Sequence, residues 1–429
     1  MQTEPFAVAV SEEMLADLRE RLAKTRWPDE VANAHWEYGT NLAYLQELVA
    51  YWRDSYDWRR CERTINAFPQ YRVTIDGVPI HFIHQPGRGP EPLPLILTHG
   101  WPWTFWDLYK VIRPLSDPAA FRGDPRDAFD VVVPSLPGYG FSTPLSTPGF
   151  NYWRTADLWV KLMRGGLGYD RFGAQGGDWG ALVAAQLGHA HAERIIGIHL
   201  TLMMPLSLRM PDASEYSTEE GGWREQTQRF RKEESGYFAL QSTKPQTLAY
   251  GLNDSPVGLC AWIVEKRRTW SDCGGEIERR FTKDELLTTV MLYWVTGSFG
   301  SSVRYYYEAR HHPWQPSHPR TPVVEAPTGV AVFPREVILL PRRWAERYYN
   351  LVRCRDARGR PFRAHGGTGT AGRGHSGVLP PPALTKPKRD QTRTAVTSPP
   401  CPRQPLPRGH GQHGHRLATH DTRARTTSA

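Results

Sequence analysis

Gly176-Gly177-Asp178-Trp179-Gly180 sets a single carboxylate among glycines. The spacing small-x-nucleophile-x-small marks a sharp strand-to-helix turn, which lifts one side chain above the end of a parallel sheet. Flanking glycines let the backbone crowd together with no Cβ in the way. Residues 171–175 read as the lead-in and residues 181–187 as a helix former. A carboxylate so placed attacks carbon and leaves an ester that water must later open. A second stretch, His99-Gly100-Trp101-Pro102, follows the apolar run at 94–98. In folds built on such a turn, the loop after this strand supplies one oxyanion N–H and the residue after the nucleophile supplies the other. Trp101 and Trp179 are the expected donors.

The elements that must hold these groups follow from periodicity. Residues 1–75 read as a helical lead-in, with Ser11 as a cap before Met14, Leu15, Leu18 and Leu22 at helical spacing. A second helix carries Leu42, Leu45, Leu48, Val49 and Trp52 on one side. Asp76-Gly77 then joins two alternating runs, a hairpin signal. Buried-strand runs at 94–98, 130–134 and 195–200 alternate with helical stretches, which predicts a mostly parallel sheet covered on both faces. From 76 to 202 this is the first part of an α/β core. Residues 203–320 are helical and rich in Trp and Tyr, as expected of a cap inserted over the strand ends. The sheet resumes over 321–353.

Composition narrows the class further. The formal charge of +9 comes from the tail, where fourteen Lys or Arg stand against three Asp or Glu from Cys354 onward. The rest of the chain has no electrostatic reason to seek nucleic acid. The tail, 354–429, is rich in Gly, Pro, Arg and Thr without apolar periodicity and is expected to be disordered. Its His410, His413 and His415 show no fixed ligand spacing. Five scattered cysteines (Cys61, Cys260, Cys273, Cys354 and Cys401) lack CxxC spacing, which points to reduced thiols in a cytoplasm rather than a zinc site. No apolar stretch approaches the ~18 residues of a membrane span. The amino terminus lacks the pattern of a signal peptide.

These motifs together resemble epoxide hydrolases of the microsomal type, within the α/β-hydrolase superfamily. The resemblance rests on Trp101-Pro102, Leu136-Pro137-Gly138-Tyr139-Gly140-Phe141-Ser142, Gly177-Asp178-Trp179-Gly180, residues 252–259, Tyr293-Trp294-Val295-Thr296-Gly297 and Phe333-Pro334-Arg335-Glu336. It implies an α/β-hydrolase fold with a helical N-terminal domain and a helical cap. It also implies Asp178 as nucleophile, Tyr237 and Tyr306 as proton donors to the epoxide oxygen, and Glu336 as the acid that orients a general-base histidine. No cofactor or metal is implied, and the expected partner is a small apolar or aromatic epoxide. A dehalogenase also carries an Asp at the turn, and an inactive ligand-binding relative would keep the same cavity. The cap tyrosines and helical N-terminal domain argue against the dehalogenase.

One departure bears on mechanism. The resemblance calls for a Gly-Gly-His-Phe segment beyond Glu336, and the chain has Gly359-Arg360-Pro361-Phe362 instead. Read one base out of register, the codons of residues 358–363 accommodate Gly-Gly-Gly-His-Phe-Ala. Those of 366–379 accommodate an amphipathic closing helix. The tail from Cys354 is therefore expected to be out of frame, with the histidine codon overlapping that of Pro361. No general-base histidine is in frame, and His365 and His375 are not assigned that role. Ester hydrolysis is expected to be impaired.

Overall fold

The computed structural model describes residues 1–356. The chain runs in order through β1 (Glu4–Phe6), α1 (Glu12–Ala23), α2 (Leu42–Asp54), α3 (Trp58–Asn66), β2 (Gln70–Ile75), β3 (Val78–Gln85) and β4 (Leu93–Thr98). It continues through α4 (Tyr109–Ser116), β5 (Phe129–Pro134), α5 (Tyr152–Lys161), β6 (Phe172–Gly176), α6 (Trp179–Ala190) and β7 (Ile195–Leu200). Six helices follow: α7 (Gly221–Glu233), α8 (Gly236–Thr243), α9 (Pro245–Asp254), α10 (Pro256–Thr269), α11 (Lys283–Thr296) and α12 (Phe299–His311). The described part closes with β8 (Val324–Val332), α13 (Arg342–Tyr348) and β9 (Tyr349–Asp356).

The strands form one sheet in the order β1-β2-β3-β5-β4-β6-β7-β8-β9. β1, β2 and β3 pair antiparallel, and β3 meets β5 antiparallel. From β5 through β4, β6, β7 and β8 to β9 every pairing is parallel. This is the mostly parallel sheet expected from the alternation of strand and helix periods, in the α/β-hydrolase arrangement that the resemblance implies. The parallel strands read as near-continuous apolar runs because both faces are covered. Leu95, Ile96, Val131, Val132 and Val133 are fully buried. The Asp76-Gly77 turn has positive φ at both residues, as a two-residue hairpin of matching twist requires.

The N-terminal helices lie against the cap. Ser11 caps α1 by accepting from the Met14 amide, and Leu15, Leu18 and Leu22 are buried, whereas Met14 is exposed. Asn41 caps α2 in the same way. Tyr51 of α2 donates to Asp284 of α11 at 2.8 Å, and Thr40 donates to the carbonyl of Ala261 in α10 at 2.8 Å.

Three features differ from the sequence reading. The segment 1–75, expected as helical up to the first hairpin run at 71–75, also contributes β1 to the sheet. β1 spans three residues, too few to show a period of two, and α3 buries only Trp58 and Ile65. Third, β9 runs through Cys354, Arg355 and Asp356, which pair with Val330, Ala331 and Val332, so the sheet extends into the segment expected as tail. The rest of that expectation, with Cys401, Pro361 and the histidines from His365 to His415, lies outside the described residues. No helix among the described residues is long and apolar enough to cross a membrane.

Candidate active site

Asp178 stands at the junction of β6 and α6 with φ 50° and ψ −126°, a conformation that side chains other than glycine's rarely adopt. The neighbours explain why the sequence tolerates it. A Cβ on Gly176 would lie 2.0 Å from the carbonyl oxygen of Gly180, and one on Gly180 would lie 2.0 Å from that of Thr98. Only glycine permits α6 to approach β4 and β6 so closely. The turn therefore presents the Asp178 carboxylate above the carboxyl ends of the strands, half-buried and in reach of the cap.

The carboxylate is held by backbone donors. Trp101 N–H donates to Oδ1 at 2.8 Å, and the Trp179 amide also favours the charged form. Burial outweighs both and pushes the carboxyl up to about 6. Gly100 makes room, since a Cβ there would sit 2.3 Å from Oδ1. His99, just before, is not available as a base. Its Nδ1 bonds the Gly100 carbonyl at 2.8 Å, its Nε2 accepts from the Leu136 amide at 3.0 Å, and burial depresses it to about 4.

Two cap tyrosines lie near the carboxylate and sense its charge. Tyr237, in the first turn of α8, stacks on Trp101 with ring centroids 5.4 Å apart and planes at 6°. Tyr306 of α12 meets Trp101 edge-on at 5.9 Å, Trp179 at 4.8 Å and Tyr237 at 5.8 Å. Burial raises both phenols well above their usual range, and the Asp178 charge adds to it, so both keep their protons. Glu336 follows β8. Its Oε1 accepts from the Val337 amide at 2.9 Å, and burial, with Asp178 nearby, pushes it up to about 7. No basic side chain among the described residues pairs with it. The arrangement can attack an electrophilic carbon with Asp178 while two neutral O–H donors meet an oxygen that gains charge.

Comparison with known proteins gives a consistent answer. Residues 3–108 match the family described as epoxide hydrolase N terminus, and residues 94–247 match the alpha/beta hydrolase fold. A Stigmatella aurantiaca protein provisionally named an epoxide hydrolase is 44% identical over 346 residues, covering 81% of this chain and 77% of that one. Epoxide hydrolase 1 of Oryctolagus cuniculus is 37% identical over 371 residues, covering 80% and 81%. The chain belongs to the epoxide hydrolase family. The crystal structure of juvenile hormone epoxide hydrolase from Bombyx mori superimposes with a TM-score of 0.72 at 29% identity, covering 83% of this chain and 88% of that one.

In this epoxide hydrolase the fold brings together all six residues singled out from sequence: Trp101, Asp178, Trp179, Tyr237, Tyr306 and Glu336. Of the adjacent tyrosines, Tyr305 packs edge-on against Trp179 at 5.2 Å but gives its hydroxyl to a different partner, and Tyr307 stacks elsewhere. Tyr305 bonds Thr155 at 2.8 Å, and Tyr307 stacks on His311 at 3.9 Å. Sequence reasoning missed Trp270, which packs against Trp101, Trp103 and Tyr237. It follows the end of α10, far along the chain, and only the general richness in Trp pointed its way.

Proposed function

We propose that this epoxide hydrolase opens a small apolar or aromatic epoxide by attack of Asp178 on a ring carbon. The C–O bond breaks as the Asp178 ester forms, and Tyr237 and Tyr306 donate hydrogen bonds, then a proton, to the departing oxygen. The amides of Trp101 and Trp179 orient the carboxylate and later stabilise the oxyanion formed when water attacks the ester. Glu336 is the acid that orients the base histidine in the family's pattern. With no in-frame histidine for it to orient, the ester is expected to persist. The scheme calls on no metal or cofactor, because Asp178 supplies the nucleophile and the two tyrosines supply the acid.

The observation that carries this reading is the 2.8 Å bond between Trp101 N–H and a carboxylate at a positive-φ turn, beneath two protonated tyrosines. The rings of Trp101, Trp179, Tyr237, Phe238, Trp270 and Tyr306 favour an apolar or aromatic substituent on the epoxide. The same reading divides the chain into a helical N-terminal domain (1–75), a hydrolase core (76–202 and 321–353), a cap (203–320) and a tail. It places the protein in a cytoplasm on the basis of its scattered cysteines.

The test is stoichiometry. With styrene oxide as probe, each mole of chain should consume about one equivalent of epoxide and release almost no diol. Consumption no faster than with Asp178→Asn would overturn the proposal.

A further inference from the structure

A buried cation lies behind the oxyanion loop, and no step above uses it. Arg267, in the last turn of α10, is 3% exposed. Its Nη2 donates to Oδ1 of Asp107 at 2.6 Å and to Oγ1 of Thr289 at 2.9 Å. The guanidinium sits over the rings of Trp103, at 5.1 Å, and Phe281, at 5.3 Å. The other Asp107 oxygen accepts from the Thr104 amide at 2.7 Å. Tyr293 of α11 donates to the Trp103 carbonyl at 3.1 Å. Residues 103, 104 and 107, directly after Trp101 and Pro102, are thus tied to two cap helices as well as to the sheet.

A buried ion pair adds little net stability compared with well-packed apolar residues of similar size. Its clearer consequence is orientational: Nη2 bonds Asp107 and Thr289 together while the guanidinium rests over Trp103 and Phe281, which fixes where the Asp107 carboxylate sits. We propose that Arg267 is a positioning residue, which through Asp107 and Trp103 aims the Trp101 amide at Oδ1 of Asp178. This rests on the reading of Asp178 as nucleophile. The cap then does more than cover the site, because it also sets the orientation of the attacking carboxylate. If the loop relaxes, the amide drifts from Oδ1. The carboxylate then loses orientation, along with a donor that favours its charged form.

Several ionisable groups sense Asp178: Tyr139 after β5, Tyr237 on α8, Tyr293 on α11, Tyr305 and Tyr306 on α12, and Glu336 after β8. Burial holds all five tyrosines above their usual range. Glu336, at about 7, is the group that titrates alongside Asp178. Glu336→Gln therefore isolates the aspartate.

The experiment follows the rate of covalent attachment of styrene oxide by intact-protein mass, as a function of epoxide concentration and pH, in the Glu336→Gln background. Arg267→Met should lower the maximal rate at least ~10-fold, leave the half-saturating concentration unchanged and move the pH midpoint upward. Arg267→Lys should recover part of the loss by restoring a cation against Asp107. Asp107→Asn, which keeps its size, should reproduce both effects and decides the matter if Arg267→Met does not fold. The double variant should be no worse than either single one. Parental rate and midpoint in both variants would overturn the proposal, as would a slower rate at an unmoved midpoint, the mark of a merely structural role. If the parental chain takes up no epoxide, the nucleophile reading falls as well. If the parental chain reacts and the variants react equally well, only the positioning role falls.

Discussion

The amide of Trp101 and the carboxylate of Asp178 meet at 2.8 Å although 77 residues separate them. One belongs to the loop after β4 and the other to the turn after β6, and these strands are neighbours in the sheet. Parallel pairing puts their carboxyl ends side by side, so the contact follows from topology. Everything proposed for the reaction depends on this carboxylate being held and partly desolvated.

The first prediction concerns pH and rate. Attack requires the ionised form of Asp178, whose folded value is about 6, while the donor tyrosines stay protonated well beyond neutrality. Alkylation should rise with pH through about 6 and then level off. A pH series of single-turnover alkylation checks this, and a rate falling through neutrality would contradict it.

The second concerns pH and stability. Asp178 and Glu336 are raised in the folded state, so the unfolded chain loses these protons first as pH rises. Native stability is fullest below the unfolded values, near pH ~4, and declines as pH climbs through about 6 and 7. Each group should contribute on the order of 3 kcal/mol to this decline. Asp178→Asn and Glu336→Gln should each flatten the decline of Tm over that window.

The tyrosines give the third. Tyr306→Phe or Tyr237→Phe keeps the aromatic packing and removes one donor. Each should slow alkylation by roughly 10²-fold, with little change in Tm. The double variant should lose nearly all reaction, and substrate binding followed by Trp fluorescence should survive.

A fourth addresses the missing base. A chain whose codons beyond Arg353 are shifted to read Gly-Gly-His-Phe should turn over at least ~10³-fold faster than the present one. Nucleotide sequence showing the stated frame intact and expressed would remove the rationale for this variant.

Much of the site was legible because its residues announce themselves locally. Asp178 lies in a glycine pattern with a steric reason, and the contacts at Gly176 and Gly180 show that reason directly. Trp101 follows a strand whose apolar run is unmistakable. Tyr237, Tyr306 and Glu336 carry no local signal, and resemblance to a family was needed to single them out. Arg267 and Trp270 were invisible: an arginine beside Lys266 and Arg268 reads as ordinary helix surface, and only the tertiary fold buries it. The short β1 and the sparsely apolar α3 escaped for want of a period to detect, and β9 because its exposed Val352 and flanking arginines mask the strand pattern.

The most direct measurement is peptide mapping by mass spectrometry after exposure to styrene oxide. The account predicts a single adduct of the intact epoxide mass on the peptide containing Asp178, persisting after excess reagent is removed and absent from Asp178→Asn. An adduct confined to another residue, or rapid diol formation with Asp178 never modified, would contradict it.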